Sequence, residues 1–468
     1  MSKRLAISIV IFVFSLVASA KGPRIEYEMT EGELRGEYIS FKMDDSAIYP
    51  GTERTITAYV PKEYDGSTPA CLIVRFDGLG QALLRAMDEL IAAGSMPVAI
   101  AVGIEPGKIY DEAHETVIRY NRSNEFDRTD GRMASFLETE VIPKLMQQST
   151  SDGRRIAVSD KASDRAITGL SSGGIAAFNV AWQRPDLFSR VYSYIGTFVP
   201  FRYGDQFPGI IRKTEPKRLR IFLQDNDEDT WNPLFGSWYE YNQLMASALK
   251  FAGYEFDCHW DKGGHSGTPG DAILPQVLEW LWKGWPAEVG KGTSANASLA
   301  QIVNPSYEWK EERDGIPAGS ILVPVEGRDE PEVSKPRKRF DPLSAIYPGG
   351  GMKAVASPGS CWVTNSILEN GKFCYEQEYY CLHSPATQIC FDTNGYLYCA
   401  TDKGIQICDH NGRVRVILSI PSGPVEAVSL VENTLWAVSG GRLWSRKINR
   451  NGFVNPLPVP APPREDQG

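Results

Sequence analysis

Arg165-Ala166-Ile167-Thr168-Gly169-Leu170-Ser171-Ser172-Gly173-Gly174, continued by Ile175 to Trp182, is the stretch whose reading decides the fold. Arg165 to Thr168 has the pattern of a short buried strand and Ile175 to Trp182 that of a helix, so Gly169 to Gly173 is a strand-to-helix turn. Side chains two residues to either side of Ser171 would collide across so sharp a turn, and glycine stands at both positions. The turn also places Ser171 at a helix N-terminus, where unpaired N–H groups favour negative charge. Gly-x-Ser-x-Gly alone is a weak signal. The strand before it and the helix after it make Ser171 a candidate nucleophile.

Working outward, β and α patterns alternate. Residues 39 to 60 alternate as strand segments around the turn Tyr49-Pro50-Gly51. Cys71 to Phe76 and Pro97 to Ile104 are short, mainly apolar runs, as are Val191 to Ile195 and Leu219 to Leu223. Between them, Gln81 to Ala93, Met133 to Met146, Trp238 to Phe251 and Ile273 to Trp282 carry helical periodicity. Apolar strands alternating with amphipathic helices predict an α/β domain over residues 24–285, built on a mostly parallel sheet covered on both faces. At 468 residues the chain is too long for one ordinary core. Residues 286–344, with scattered Gly and Pro and the basic run Lys335-Pro336-Arg337-Lys338-Arg339, read as an irregular linker with some loosely attached structure. Residues 345–453 hold short strands at close spacing, punctuated by Asn394-Gly395, Asn411-Gly412, Gly440-Gly441 and Asn451-Gly452, and so predict a smaller all-β module. Residues 454–468 form a Pro-rich tail.

Lys3-Arg4, the uncharged stretch Leu5 to Val17 and Ala18-Ser19-Ala20 have the plan of a cleavable export signal, residues 1–20, with cleavage after Ala20. The stretch is shorter than the roughly 20 residues of a membrane-spanning helix, so the mature chain is expected in the periplasm or outside the cell, free of the membrane. A net charge of -9 argues against nucleic acid as a partner. The eight cysteines form no Cys-x-x-Cys pair and lie near no histidine cluster, so neither a metal site nor a cofactor is expected.

A serine hydroxyl needs a base. Of five histidines, His265 lies in the loop Lys262-Gly263-Gly264-His265-Ser266 between a strand and a helix, late in the chain. The order Ser, acid, His is that of α/β-hydrolases, and His265 fits its last position. His259 lies within a strand pattern, His114 precedes Ser171, and His383 and His410 fall in the β module. The acid should follow the strand Leu219 to Leu223, where Gln224-Asp225-Asn226-Asp227-Glu228-Asp229 offers four carboxylates, most of them expected in a solvated loop. Oxyanion donors are expected from the backbone N–H of Ser172 and from Gly78 or Leu79, in the loop after Cys71 to Phe76.

Tyr49-Pro50-Gly51-Thr52-Glu53-Arg54, Phe76-Asp77-Gly78, Asn121 to Asp127, Gly169 to Gly174 and Gly263-Gly264-His265-Ser266 resemble the esterase family that includes esterase D, feruloyl esterases and enterochelin esterases. That resemblance covers residues 40 to 285. It implies Ser171 as nucleophile, His265 as base and Asp229 as the best-matched acid, with Asp225 and Asp227 open, and Asn226 where the family has glycine. It also sets Arg122 and Glu125 near the site, in a substrate or scaffold role. The implied activity is hydrolysis of a carboxylic ester, either a small molecule such as a siderophore lactone or an acylated polysaccharide. Acyl transfer and a catalytically inactive glycan-binding domain are the alternatives. Residues 345–453 resemble the last part of gluconolactonase-type six-bladed propellers, through Asp392-Thr393-Asn394-Gly395-Tyr396-Leu397-Tyr398 and Gly404 to Asp409. The positions of that family's metal ligands are not matched, so no lactonase activity is expected there.

Overall fold

In a computed structural model, residues 34–336 and 340–453 are described. The export signal, most of the basic run and the Pro-rich tail lie outside them. The first part of the chain is an eight-stranded sheet. In chain order its strands are β1 (Glu37–Met43), β2 (Arg54–Val60), β3 (Cys71–Phe76), β4 (Ala99–Ile104), β5 (Arg165–Leu170), β6 (Arg190–Tyr194), β7 (Arg220–Asn226) and β8 (Glu255–Asp261). Their spatial order is β1-β2-β4-β3-β5-β6-β7-β8. β1, β2 and β4 pair antiparallel, and every pairing from β4 to β8 is parallel. All side chains of β3 and β4 are buried, as expected of strands with helices on both faces. Helices α1 (Gln81–Ala92) and α4 (Leu274–Trp282) cover one face, where Leu83, Met87 and Leu90 meet Val277, Leu278 and Leu281. Helices α2 (Ser172–Gln183) and α3 (Trp238–Phe251) pack against the other face.

Two elements depart from their sequence pattern. Residues 132–145 are helical but pass through a π turn at Leu137–Val141, just before Pro143, which lacks the N–H to continue an α ladder. β7 runs three residues further than its apolar pattern, taking Gln224, Asp225 and Asn226 into the sheet as buried polar residues.

Residues 286–344 are more firmly built than the loosely structured linker expected from the sequence. Asn296 caps the helix Ala297–Ile302, and Lys310–Arg313 completes an antiparallel sheet with 425–431, 434–439 and 442–447. Lys-Glu-Glu-Arg has no strand signature of its own; pairing with Arg442–Lys447 makes it one. A hairpin of Ile321–Val323 and Glu332–Ser334 is pinned by Gln388, whose side-chain amide bonds both the N–H and the C=O of Leu322. Two more four-stranded antiparallel sheets, at 344–381 and 386–418, complete the all-β part. Three such sheets are half the number in a six-bladed ring.

The two parts are fastened together. Thr214 bridges Ile417, and Glu215 lies between Arg446 (2.6 and 2.9 Å) and Lys291 (2.7 Å). Burial pushes the Glu215 carboxyl up, but Arg446 and Lys291 outweigh it and hold it below its ordinary value of 4.5. The folded-state value is therefore lower than the unfolded one. The stabilisation is full above about pH 4.5 and is lost as pH falls through the folded value. Glu215→Gln, which leaves the buried Arg446 without its counter-charge, should cost about 3 kcal/mol and flatten the acid side of the stability profile. Thermal unfolding of both proteins from about pH 7 to 3 measures this.

Candidate active site

The strand ends point to the site. At the carboxyl ends of the neighbouring strands β3, β5 and β6 the chain turns sharply, and each turn holds a non-glycine residue at positive φ: Asp77 (62°), Ser171 (57°) and Ile195 (44°). Ile195 is β-branched, so its conformation is maintained only by surrounding structure. At the elbow, a Cβ on Gly169 would lie 2.4 Å from the carbonyl oxygen of Gly173, which is the steric demand read from the sequence. The Ser171 N–H bonds Tyr194 O at 3.1 Å, tying the turn to β6.

Ser171, His265 and Asp229 are brought together. Ser171 Oγ lies 2.9 Å from His265 Nε2, and His265 Nδ1 lies 2.5 Å from Asp229 Oδ1. The Asp229 side chain is fully buried. Burial raises its carboxyl, but His265, Asp225 and the Thr230 N–H act the other way and hold it below its ordinary value. The other carboxylates separate cleanly. Asp227 pairs with the exposed Lys262, Asp225 is buried at the end of β7, and neither bonds a histidine. Asp225 is thus not the solvated loop residue the sequence suggested. His259 bonds Asp261 within β8 and does not contact Ser171.

Asn226 donates to Gly264 O (2.8 Å) and Ser266 O (3.0 Å) and so holds the His265 loop. Glu228 N–H to Gly263 O adds a backbone tie between the two loops. Thr197, missed in the sequence, lies 3.3 Å from Ser171 Oγ. The donor-only indole N–H of Trp238 meets Thr197 Oγ1 at 3.2 Å, which leaves the threonine hydroxyl free to donate to Ser171. Its signal was positional: it follows the carboxyl end of a parallel strand, the edge where such sheets build sites.

Ser172 begins α2 beside Ser171, with its N–H at the helix N-terminus. Gly78 lies at φ 79°, a conformation L side chains rarely adopt, and a Cβ there would displace the Glu105 carboxylate, whose Oε1 would be 2.3 Å away. Leu79 N packs against Gly103, where a Cβ would lie 2.7 Å away. Arg122 grips this loop, donating to Asp77 Oδ1 (2.8 Å) and Oδ2 (2.7 Å) and to Ser172 Oγ (3.1 Å). It is therefore placed to fix the Gly78 loop against the elbow.

Glu125 is placed differently. Its carboxylate is fully buried, bidentate with Arg54 at 2.6 and 2.9 Å and bonded by Gly107 N–H and Asn121 Nδ2. Arg54 also lies over the ring of Phe136 at 4.6 Å. With no exposed surface, Glu125 serves the scaffold and does not face a substrate. Glu125→Ala would strand a buried guanidinium and should cost about 3–5 kcal/mol, measurable by urea unfolding, with the Ser171 geometry otherwise unaltered.

On the His265 side the neighbouring side chains are aromatic. Trp238 meets the imidazole edge-on at 6.2 Å, Phe201 packs on Trp238 and Phe235, and Trp231 and Leu234 stand exposed on the hairpin 231–237. On the Ser172 side the neighbours are polar, the paired Arg122 and Asp77.

A mostly parallel, doubly covered sheet with a serine elbow at its carboxyl edge is the α/β-hydrolase fold. Residues 47–269 match the family model described as "Putative esterase", and this part of the chain is a carboxylic ester hydrolase domain. Comparison with curated proteins finds no sequence match. Among solved structures, a ferulic acid esterase is 17% identical at a TM-score of 0.41, over 54% of this chain and 99% of that one. An enterochelin esterase from Shigella flexneri is 18% identical at a TM-score of 0.39, and the match spans 54% of this chain but only 59% of that protein. The S954A mutant of a feruloyl esterase module from Clostridium thermocellum, complexed with sinapinate, is 13% identical at a TM-score of 0.39, over 56% and 93%.

Proposed function

We propose that the domain hydrolyses carboxylic esters through an acyl-enzyme on Ser171, with His265 as the proton carrier and Asp229 as its orienting acid. The observation that carries this is the unbroken row from Ser171 Oγ through both ring nitrogens of His265 to the buried Asp229. Ser171 Oγ attacks the acyl carbon while its proton passes to His265 Nε2. The carbonyl electron pair moves onto oxygen, toward the N–H of Ser172 and the Gly78–Leu79 loop. When the C–O bond to the alcohol breaks, His265 returns the proton to the departing alkoxide. Water, deprotonated by the same nitrogen, then cleaves the acyl-enzyme and restores Ser171. Asp229 stays ionised and stabilises the imidazolium between the two proton transfers.

The aromatic side chains beside His265 favour an apolar or aromatic acyl group. This agrees with feruloyl-type esters of polysaccharides or catecholate siderophore esters as substrates. The amino-terminal pattern supports an exported enzyme, where such polymers are met. The test is to react the protein with a fluorophosphonate and map the adduct by peptide mass. One adduct on the Ser171 peptide is expected; an unlabelled protein that still turns over p-nitrophenyl acetate would overturn the assignment.

A further inference from the structure

Arg75 is the one charged residue of β3, and it is buried. Successive side chains of a strand face opposite ways. Ile73 packs with α1 and α4, and Phe76 with the elbow helix α2 on the other face, so Arg75 lies on the α1 side. Its guanidinium donates to two neutral oxygens, Gly78 O at 2.6 Å and Tyr194 Oη at 3.0 Å. It also lies against Gly80, where a Cβ would come within 3.2 Å of Cζ and Nη2. Gly80 is the N-cap of α1. A cation at that end of a helix is repelled by the dipole, so α1 does not account for a buried arginine here. Its bond to Gly78 O does.

Gly78 O and the Leu79 N–H belong to one trans peptide, whose C=O and N–H face opposite ways. With the carbonyl drawn to Arg75, the N–H is turned toward the face on which α2 begins. On that face the loop already adjoins the elbow: a Cβ on Gly173 would lie 3.0 Å from Phe76 Cβ and 3.1 Å from Asp77 Oδ2. The Leu79 N–H has no backbone acceptor among the described residues. A charged donor on the carbonyl polarises the amide and makes its N–H the stronger donor. Tyr194 secures the guanidinium from behind. Its Oη donates to Asp271 Oδ1 at 3.1 Å, in the helix Thr268–Ala272 that follows the His265 loop, and its backbone oxygen accepts the Ser171 N–H. One tyrosine thus ties Arg75 to the elbow.

We propose that Arg75 is a positioning residue for the oxyanion site: by holding Gly78 O it aims the Leu79 N–H at the carbonyl oxygen of the ester and strengthens it as a donor. The inference rests on the assignment of Ser171 and of the Gly78–Leu79 loop above. When Ser171 attacks, the carbonyl electron pair moves onto oxygen, and that charge meets the N–H groups of Ser172 and Leu79. Arg75 acts on it through a single peptide. The attraction grows as the charge develops, so it favours the transition state over the bound ester.

The test compares wild type with Arg75→Met, which has no donor, and Arg75→Lys, whose ammonium cannot hold Gly78 O and Tyr194 Oη together as a planar fork does. The measurements are kcat and KM for p-nitrophenyl acetate, fluorophosphonate labelling, and inhibition by an aryl trifluoromethyl ketone, whose adduct on Ser171 carries an oxyanion. Arg75→Met should lower kcat about 10- to 100-fold at nearly unchanged KM and weaken the ketone by the same factor. Arg75→Lys should lose about three- to tenfold in both. A merely structural role would move the melting temperature without this matched loss. The proposal is overturned if Arg75→Met keeps kcat within about twofold, or if kcat falls while the ketone binds as it does to wild type. Should the methionine variant fail to fold by circular dichroism, the lysine variant decides alone, and wild-type values of kcat and ketone inhibition in it overturn the proposal. Wild type unlabelled at Ser171 defeats the underlying assignment and this inference with it; wild type labelled, with kcat and ketone inhibition unchanged in Arg75→Met, defeats this inference alone.

Discussion

Ser171→Ala loses turnover of p-nitrophenyl acetate by about 10⁴- to 10⁶-fold while leaving the unfolding transition where it is. The size of the effect follows from the covalent step. With no oxygen at this position there is no acyl-enzyme, and the remaining rate is what the oxyanion donors and binding can supply to a direct attack by water. The fold should be indifferent, because Ser171 Oγ bonds only the half-exposed His265 and, at 3.3 Å, Thr197. Steady-state rates and a thermal melt on the same preparation measure both quantities. A variant that keeps a tenth of the wild-type rate would show that the elbow serves binding and not catalysis.

Asp229→Asn should lower kcat about 10⁴-fold, with little change in KM. The asparagine is nearly isosteric, but its amide cannot both accept from His265 Nδ1 and stabilise the imidazolium by charge. The imidazole then turns to the tautomer whose Nε2 carries a proton and cannot take one from Ser171. Asp227→Asn is the matched control two residues away. Its carboxylate faces the exposed Lys262 and only the Gly263 N–H, at 3.3 Å, in the loop, so kcat should stay within about twofold. Assaying the pair together decides between the carboxylates the sequence left open. Equal losses in both would mean that the loop as a whole, and not Asp229, is what the site requires.

Much of this site was legible because the elbow is a local object. Gly169, Ser171 and Gly173 are bound to one another by sterics within a single turn, and a strand before and a helix after leave little choice of conformation. The mainly apolar runs of β3 and β4 marked a sheet covered on both faces, and every position of both strands is buried. The all-β reading of residues 345–453 likewise rests on local signals, since Asn394-Gly395 falls between the strands Ala386–Phe391 and Leu397–Thr401. Lys310–Arg313 was not legible: its four charged residues form a strand only because Arg442–Lys447 offers an unpaired edge.

For the elbow and its serine, then, the sequence by itself determined conformation and chemistry, because the forces that fix them act within a few residues. The partners of that serine were decided by tertiary structure. Asp225, Asp227 and Asp229 look alike in a chain of alternating carboxylates. Their roles diverge through burial, which depends on where β7 ends and on what α3 and the His265 loop lay over it. Glu125 shows the same in reverse: a residue beside the site in sequence, turned inward by Arg54 to become scaffold. Charge in proteins acts over distances set by the folded surroundings and not by the chain.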